Sequence, residues 1–365
     1  MLFLFLNHVQ RLDIHDIILP RLKLRKSNMA EKLLDAQDVS VEFKIAGEYQ
    51  KALHKVNLSI NHGEVLALVG ESGSGKSTFA MSVMGLHNPD QTKVTGSIKL
   101  NGNELIGLTE RQFDQYRGVS VGMIFQDPLS SLNPLMKIGD QIAEAMTVHD
   151  KHTQQVSNRV LGLLDDVGIV DAKRVAQQYP HALSGGMRQR VMIAIALANE
   201  PDLIIADEPT TALDVTIQAQ ILDLIKEIQQ KKNAGILLIT HDLGVVAEMA
   251  DTVAVMYAGQ IVEKAGVEEL FNHPKHPYTR SLLRADPSDV KPGETLYAIP
   301  GTVPALKDMD HNKDLFLQRV PWLDESVVNA NVKDELQQVG NHHYVRGTAW
   351  QNFEFNDVTE GENQV

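Results

Sequence analysis

One eight-residue segment, Gly70–Ser77 (GESGSGKS), constrains the fold of this chain more than any other. It follows the apolar run Val65–Val69 and precedes the apolar stretch Thr78–Leu86. This is the strand, turn and helix context of the phosphate-binding pattern G-x-x-x-x-G-K-[ST]. Glycines let the chain turn tightly enough to direct several backbone N–H groups at one anion, and a helix N-terminus adds positive charge. The segment therefore predicts a nucleotide site, in which Lys76 contacts the β- and γ-phosphates and Ser77 ligates Mg²⁺.

A second run supplies the carboxylates that such a site needs. Leu203–Glu208 (LIIADE) is an apolar strand pattern that ends in two acids. Asp207 is placed to hold Mg²⁺ through water, and Glu208, one residue later, is placed to polarise an attacking water. Buried strands often end in acids at the edge of a sheet, so the run is informative mainly because it accompanies the glycine-rich loop.

The composition excludes several classes of protein. The chain has 365 residues and a formal net charge of −13, which argues against nucleic-acid binding by broad charge neutralisation. It has no cysteine, so disulfides, cysteine nucleophiles and iron–sulfur clusters held by thiolates are excluded. The longest apolar runs, Val191–Ala198 and Met1–Leu6, are far shorter than the roughly 20 residues of a spanning helix. The opening run also lacks the basic residues and the cleavage site of a signal peptide.

Most of the chain, residues 33–283, has the strand and helix pattern of an α/β domain with a mixed, largely parallel sheet. Its clearest buried strands are the runs Val65–Val69, Leu203–Ala206 and Ile236–Thr240. Residues 134–198 are rich in helix formers and form too long a stretch for a simple crossover between two strands. We therefore predict a P-loop core with an inserted helical subdomain at about residues 134–198.

The two ends of the chain differ in charge from this core. Residues 1–32 form an N-terminal extension whose first 28 residues are basic. The favoured interpretation is that translation begins at Met29, and the alternative is a basic arm that touches anionic lipid. The last 80 residues carry fourteen acidic and six basic side chains. We interpret residues 284–365 as a small C-terminal appendage with an acidic tail that fades into disorder.

Another glycine-rich helix start, Leu183–Gln189 (LSGGMRQ), lies about 20 residues before the carboxylate strand. It has no lysine and is a weak signal by itself, but its position completes the motif order of the ATP-binding cassette (ABC) family. Residues 33–283 resemble an ABC ATPase throughout. Further motifs of that family match Gln126 in FQDP, the D-loop Ala212-Leu213-Asp214, and His241 in THD.

The resemblance implies a head-to-tail dimer, in which each ATP lies between the phosphate loop of one subunit and the signature segment of the other. The residues implied to bind ATP in the loop are Gly70, Glu71, Ser72, Gly73, Ser74, Gly75, Lys76, Ser77 and Thr78. Phe43, or alternatively Tyr49, is implied to stack on adenine. The residues implied to complete the site in trans are Leu183, Ser184, Gly185, Gly186, Met187 and Gln189, with Asp214 in the D-loop.

The resemblance also implies the catalytic groups. Glu208 polarises the attacking water, His241 contacts the γ-phosphate and orients that water, and Gln126 senses Mg²⁺ and connects to a membrane partner. The implied ligands of Mg²⁺ are Ser77, Gln126 and Asp207. Taken without this context, His241 is more simply interpreted as the cap of the following helix. We expect the remaining histidines to be surface residues, among them His149, His152, His342 and His343.

Finer details resemble the ATPases of oligopeptide and dipeptide permeases, and the D-type more than the F-type. They are the runs Glu208–Leu222, His276–Thr279 (HPYT) and Ile299–Gly301 (IPG). The resemblance implies an ATPase at the cytoplasmic face of the membrane that works with an F-type second ATPase and two permease subunits. An extracellular peptide-binding protein is an indirect partner, and nucleic acid is not a partner. Nickel or another small solute is the alternative cargo, and a soluble non-transport ABC ATPase is the alternative class.

The C-terminal segment departs from that subfamily at one position. Many members carry cysteines after the IPG segment, and these ligate an iron–sulfur cluster. In this chain Arg319-Val320-Pro321 stands where arginine-cysteine-proline is expected. The cluster is therefore excluded, and residues from about 306 onward need not fold as in those members.

Overall fold

The computed structural model describes residues 32–149, 156–211, 213–286, 296–333 and 335–355. The predictions for the N-terminal extension before residue 32, for His152, for Ala212 and for the end of the acidic tail lie outside these ranges. Within the described ranges, no helix combines the length and the apolar character needed to cross a membrane.

The described chain forms two sheets and a series of mostly short helices. The strands are β1 (Lys32–Ile45), β2 (Glu48–Asn61), β3 (Val65–Val69), β4 (Thr92–Leu100), β5 (Asn103–Glu104), β6 (Val121–Ile124), β7 (Leu203–Asp207), β8 (Gly235–Thr240), β9 (Thr252–Tyr257), β10 (Gln260–Gly266), β11 (Gln337–Gly340) and β12 (His343–Val345). The helices are α1 (Lys76–Met84), α2 (Glu110–Phe113), α3 (Pro128–Ser131), α4 (Ile138–Thr147), α5 (Val156–Asp166), α6 (Ala172–Ala176), α7 (Gly185–Ala196), α8 (Val215–Lys232), α9 (Leu243–Met249), α10 (Val267–Asn272), α11 (Pro277–Arg284) and α12 (Glu325–Val328).

The smaller sheet is antiparallel and has the order β2-β1-β4-β5. Its long hairpin turns at Ala46 and Gly47, whose φ angles are 52° and 92°. Positive φ at both turn residues is the backbone of a type I′ turn, which matches the twist of the flanking strands. The sheet and α1 share one apolar cluster, in which Leu34, Val41 and Phe79 are fully buried.

The larger sheet has the order β11-β12-β10-β9-β3-β8-β7-β6. Strands β6, β7, β8, β3 and β9 are parallel, and β9, β10, β12 and β11 pair antiparallel. Every residue of β3, β7 and β8 is buried, as expected for central parallel strands covered on both faces. The predicted mixed, largely parallel sheet is confirmed.

Helices α4 to α7 occupy the interval in which the sequence predicts an inserted helical subdomain. Their apolar faces include Ile142, Leu164 and Val191, which are at most 1% exposed. The same cluster contains Ile204 of β7 and Leu238 of β8. The helices therefore share a hydrophobic core with the sheet.

The C-terminal part is more ordered than the sequence suggests. β12 pairs with β10, matching Val345 with Glu263, and so extends the larger sheet. Phe316 is fully buried against the rings of Tyr257 and Tyr278. Residues 296–333 and 335–355 are thus the folded part of the small C-terminal appendage, and the prediction that its acidic end fades into disorder concerns residues outside the described ranges. Val320, at the position where a cysteine is expected, is 3% exposed and packs in the same apolar cluster.

The prediction of surface histidines is wrong at several positions. His343 and His276 are fully buried and His311 is 8% exposed, whereas His342 is exposed and His149 half-buried. The rings of His276 and His343 make polar contacts that only the tertiary structure creates: His276 Nε2 lies 3.0 Å from Asp314 Oδ2, and His343 Nε2 lies 2.7 Å from Glu263 Oε1.

Candidate functional site

The strand ends of the larger sheet bring the predicted site residues to one edge. β3 leads into Gly70, β7 ends at Asp207, β8 is followed by His241, and β6 is followed closely by Gln126. Because these four strands are parallel, their carboxyl ends meet at the same edge, where ligands of open α/β sheets bind. Motifs that are far apart along the chain therefore lie close together in one cluster.

The phosphate loop requires glycine at its bends. Gly70 and Gly75 have φ angles of +151° and +108°, which other residues rarely adopt. A Cβ at Gly70 would clash with the backbone oxygen of Met256, and one at Gly75 with the side chain of Leu53. The loop therefore packs closely against β9 and β2, and α1 begins directly after it.

Lys76 lies across this loop and is only 6% exposed. Its ammonium group donates to the carbonyl oxygens of Gly70 at 2.7 Å and Glu71 at 2.9 Å. Burial lowers the pKa of Lys76, and the carboxylates of Glu208 and Asp207 oppose this effect. A positive charge held in such partly buried surroundings interacts more strongly with a phosphate than one in water.

The hydroxyl of Ser77 and the carboxylate of Asp207 are neighbours at this edge. Burial raises the pKa of Asp207, and the nearby hydroxyl of Ser77 opposes that rise. A hydroxyl and a carboxylate oxygen side by side are hard oxygen ligands of the kind that Mg²⁺ takes together with water. The residues present therefore fit a magnesium ion.

Glu208 is the centre of a hydrogen-bond network at the strand ends. Its Oε2 accepts from the amide nitrogen of Gln126 at 2.8 Å and from the hydroxyl of Thr211 at 2.9 Å. Its Oε1 lies 3.2 Å from Nδ1 of His241. The φ angle of Glu208 is +47°, and its backbone N–H donates to the carbonyl oxygen of Ile239. Unusual backbone angles at non-glycine residues cluster at functional sites.

His241 does not cap the following helix. The N-cap of α9 is Asp242, whose carboxylate accepts from the backbone N–H of Val245 at 3.1 Å. The ring of His241 is left to face Glu208. Thr211 was not predicted as a site residue, although its place three residues after Glu208 in the sequence is a signal that its hydroxyl can reach back to that carboxylate.

The signature segment forms the start of α7. Ser184 is the N-cap, and its hydroxyl accepts from the backbone N–H of Met187 at 3.4 Å. Leu183 and Gln189 are buried, and the amide of Gln189 donates to the carbonyl oxygen of Pro209 at 2.6 Å. These two side chains therefore make contacts inside their own subunit. The exposed or partly exposed residues of the motif are Ser184, Gly185, Gly186, Met187 and Arg188.

The two candidate adenine-stacking residues lie on opposite faces of the smaller sheet. Tyr49 pairs with Lys44 in the hairpin, and its ring is covered by Lys93, whose Nζ lies 3.6 Å from the ring centroid. Phe43 is partly buried, with its ring 5.7 Å from that of His87. His87 in turn lies against the carbonyl oxygen of Thr78 in α1. Phe43 is thus on the face directed toward the phosphate-loop helix.

Glu71 carries contacts that the sequence did not predict. Its carboxylate pairs with Arg319, and its backbone N–H donates to the hydroxyl of Tyr278 at 2.7 Å. Both partners lie in segments that the sequence marks as subfamily-specific, but neither is near the phosphate loop in sequence.

The chain is similar to two families over separate intervals. Residues 53–211 match the ABC transporter family, and residues 262–319 match the C-terminal region of oligopeptide/dipeptide transporters. Solved structures show the same fold for the cassette. A dimeric ATP-binding cassette in a post-hydrolysis state with ADP and phosphate has a TM-score of 0.58 and 28% identity, covering 64% of this chain and 98% of that one. The cassette cbiO1 from Clostridium perfringens has a TM-score of 0.57 and 28% identity, covering 67% and 92%.

Named relatives extend the similarity along most of the chain. The oligopeptide transport ATP-binding protein OppD of Lactococcus lactis is 63% identical over 329 residues, which is 90% of this chain and 97% of that protein. OppD of Bacillus subtilis is 47% identical over 318 residues, or 86% and 88% of the two chains. The dipeptide transport ATP-binding protein DppD of the same organism is 49% identical over 278 residues, or 76% and 83%. On this sequence similarity and on the motifs gathered at one sheet edge, the chain belongs to the ATP-binding proteins of ABC transporters.

Proposed function

We propose that this protein is the ATP-hydrolysing subunit of an ABC importer for oligopeptides or dipeptides. Two lines support the cargo class: the names of the relatives in L. lactis and B. subtilis, and the match of residues 262–319 to the C-terminal region of such transporters. The observation that carries the catalytic assignment is the bonding of Glu208 to Gln126 and its approach to His241. The cassette comprises residues 33–283, and residues 284–365 form the C-terminal segment.

In this proposal the phosphate loop binds the phosphates of ATP. Lys76 places its ammonium against the β- and γ-phosphates, while backbone N–H groups of the loop and of the first turn of α1, through Thr78, surround them. Ser77, Asp207 and Gln126 would hold Mg²⁺, which would neutralise phosphate charge. The backbone N–H of Glu71 donates to the hydroxyl of Tyr278. The other backbone N–H groups of the loop therefore make the phosphate contacts.

Glu208 then acts as the general base for the attacking water. Gln126 and Thr211 donate to Oε2 and hold the carboxylate in place, and Oε1 faces His241. His241 is 64% exposed, so its ring has room to contact the γ-phosphate and to orient the water. A positioned base of this kind contributes roughly 10²–10⁴-fold to a reaction rate.

A second ATPase, of the F-type, completes the site in trans. Ser184 and the glycines after it lie at the N-terminus of α7, where backbone N–H groups favour an anion. Asp214 caps α8 by accepting from the N–H of Ile217 at 3.0 Å. The next residue, Val215, is 83% exposed. An apolar side chain beside this cap suits a surface that a partner subunit covers.

Two membrane permease subunits receive the conformational change. Leu129 and Leu135 follow Gln126 and are 59% and 86% exposed. Apolar side chains in this position offer a contact surface for a permease helix and connect it to a residue that bonds Glu208. We place the protein on the cytoplasmic face of the membrane, with an extracellular peptide-binding protein delivering the cargo.

Purification of the tagged protein from native membranes tests this function. We expect two permease subunits and a second ATPase to co-purify, with ATP hydrolysis that rises when peptide-loaded binding protein is added. Stimulation by nickel-loaded binding protein and not by the peptide-loaded form would replace the peptide cargo. Recovery of ribosomes or nucleic acid without membrane protein would contradict the transport function and favour a non-transport ABC ATPase.

A further inference from the structure

The C-terminal segment reaches the phosphate loop through Arg319. The guanidinium group donates from Nη1 to Oε2 of Glu71 at 2.5 Å and from Nη2 to Oε1 at 3.1 Å. This is a bidentate pair, the strong form of an arginine–carboxylate contact. The side chain of Arg319 is 5% exposed and that of Glu71 is 29% exposed, so water screens the pair less than it screens a surface ion pair.

The remaining donors of Arg319 bind the segment that precedes it. Nε donates to the carbonyl oxygen of Pro300 at 2.5 Å, and Nη2 also donates to that of Gly301 at 3.1 Å. Nη1 lies 3.4 Å from the hydroxyl of Tyr257. The five N–H groups of the guanidinium therefore all have acceptors. A lysine has three donors in a different geometry and cannot reproduce this set.

Tyr278 holds the same loop residue from a second side. Its hydroxyl accepts from the backbone N–H of Glu71 at 2.7 Å, and its ring is fully buried. His276 caps the helix α11 by accepting from the N–H of Tyr278 at 3.2 Å, and its other ring nitrogen lies 3.0 Å from Asp314. The position of the hydroxyl is thus fixed by the packing of the C-terminal part.

These contacts are linked to the proposed ATP site through Lys76. The ammonium group of Lys76 donates to the carbonyl oxygen of Glu71, so Glu71 is bonded at its N–H, its carboxylate and its carbonyl. A shift of Glu71 would move an acceptor of the lysine that faces the phosphates. Small displacements of a positioning contact have large effects on binding and rate in such sites.

We infer that Arg319 of the C-terminal segment and Tyr278 of α11 are positioning residues for ATP binding, which together fix the conformation of the phosphate loop at Glu71. Arg319, Tyr278 and Glu71 are together called the Glu71 clamp. The inference rests on the proposed function, because it takes Gly70–Ser77 to be the loop that binds ATP. It assigns to the C-terminal segment a direct influence on nucleotide affinity.

The test measures the Kd of Mg·ATP for the purified full chain by calorimetry, together with the melting temperature without nucleotide. We expect Arg319→Gln to raise the Kd about five- to tenfold, and Arg319→Lys to raise it less, since coupled neighbours interact at this scale. The matched control is Arg280→Gln. Arg280 also anchors the C-terminal part, through the carbonyl oxygen of Phe353 at 2.6 Å and the rings of Phe353 and Phe355, but it does not contact the loop. Arg280→Gln should lower the melting temperature and leave the Kd of Mg·ATP unchanged.

A double-mutant cycle with Glu71→Gln separates positioning from general destabilisation. If the clamp acts through Glu71, the double variant Glu71→Gln/Arg319→Gln should have a Kd no higher than the worse single variant. Strictly additive effects, or equal changes in Kd from Arg319→Gln and Arg280→Gln, would overturn the inference. If Arg319→Gln does not fold, Tyr278→Phe and Arg319→Lys serve in its place.

Lys76→Ala distinguishes failure of this inference from failure of the proposed function. If Lys76→Ala loses ATP binding while the Arg319 variants bind like the unmodified protein, the loop is the ATP site and only the clamp is wrong. If Lys76→Ala retains full affinity, the loop is not the site, and the inference is overturned with it.

Discussion

At the edge of the larger sheet, the side chain of Glu208 is 17% exposed and that of His241 is 64% exposed. Where β12 pairs with β10, the side chains of Glu263 and His343 are at most 1% exposed. Both pairs join a glutamate to a histidine, at 3.2 Å in the first case and 2.7 Å in the second. We call the first the catalytic edge, with Gln126 and Thr211, and the second the junction pair.

The difference between them follows from what each carboxylate accepts. Glu263 accepts from the backbone N–H groups of Lys275 and His276, both at 2.8 Å, in addition to His343. A buried charge with this many partners is stabilised in one arrangement and is costly to disturb. Glu208 has side-chain partners and access to water, so its bonds can be exchanged for those of a ligand. We therefore expect changes at the catalytic edge to affect turnover, and changes at the junction pair to affect stability.

The largest effect is expected for Glu208→Gln in the assembled transporter. Loss of the general base should lower kcat roughly 10²–10⁴-fold, while the Kd of ATP and the melting temperature stay close to the original values. Steady-state ATPase assays and calorimetry check this. Glu227→Gln on α8 is the control, because Glu227 is 65% exposed and forms a surface ion pair with Lys231. Unchanged ATP turnover by Glu208→Gln would show that Glu208 is not the general base.

A smaller effect is expected at the adenine contact. Phe43→Ala should weaken ATP binding about tenfold, the scale of base–aromatic stacking, and should leave the binding of inorganic triphosphate unchanged. Tyr49→Ala is the matched variant and should change neither, since its ring is covered by Lys93 on the other face of the sheet. The reverse result, in which Tyr49→Ala alone weakens ATP binding, would assign stacking to Tyr49.

The catalytic edge was predictable from the sequence because each part is a local pattern. A strand followed by a glycine-rich turn, or a strand that ends in acids, can be recognised within ten residues, and parallel strands bring their ends together. The junction pair and the Glu71 clamp were not predictable. Arg319 is 248 residues from Glu71 in sequence, and burial of His343 depends on a three-residue strand that pairs with β10. A strand this short has no periodicity that reveals it.

Glu208 shows a further limit of the sequence. The role that we propose for it follows from the motif, but its φ of +47° and its bond to Thr211 do not. Composition also did not show how far the C-terminal appendage is folded. The buried residues Leu315, Phe316 and Phe353 form part of an apolar cluster with β9, but they have no periodicity that would indicate this from the sequence.

The junction pair predicts a pH-dependent stability. Burial lowers the pKa of His343, but its bonds to the carboxylates of Glu263 and Glu269 outweigh this and raise the pKa above its ordinary value. The imidazolium therefore stabilises the folded state fully below the unfolded pKa of roughly 6.5, and this contribution is lost as the pH rises through the folded pKa.

His343→Gln should consequently lower the free energy of unfolding by about 1–3 kcal/mol at a pH below 6.5, and the loss should shrink as the pH is raised. Thermal and denaturant unfolding over a pH series measure it. The neighbouring exposed residue provides the control His342→Gln, which should have no effect at any pH. A loss for His343→Gln that is the same at every pH would show that charge on the ring is not involved.

The smallest effect is expected for Thr211→Val. The hydroxyl of Thr211 donates to Oε2 of Glu208 at 2.9 Å from an exposed position, where water can replace it, so the net contribution of the bond is small. Removal should lower kcat about two- to fivefold without a change in ATP affinity, and Thr211→Ser, which keeps the hydroxyl, should restore it. If Thr211→Val instead lowered the melting temperature as much as His343→Gln, the exposed network would be as rigid as the buried one. The distinction between a catalytic edge that exchanges partners and a junction that does not would then fail, because solvent access would no longer separate the two glutamates.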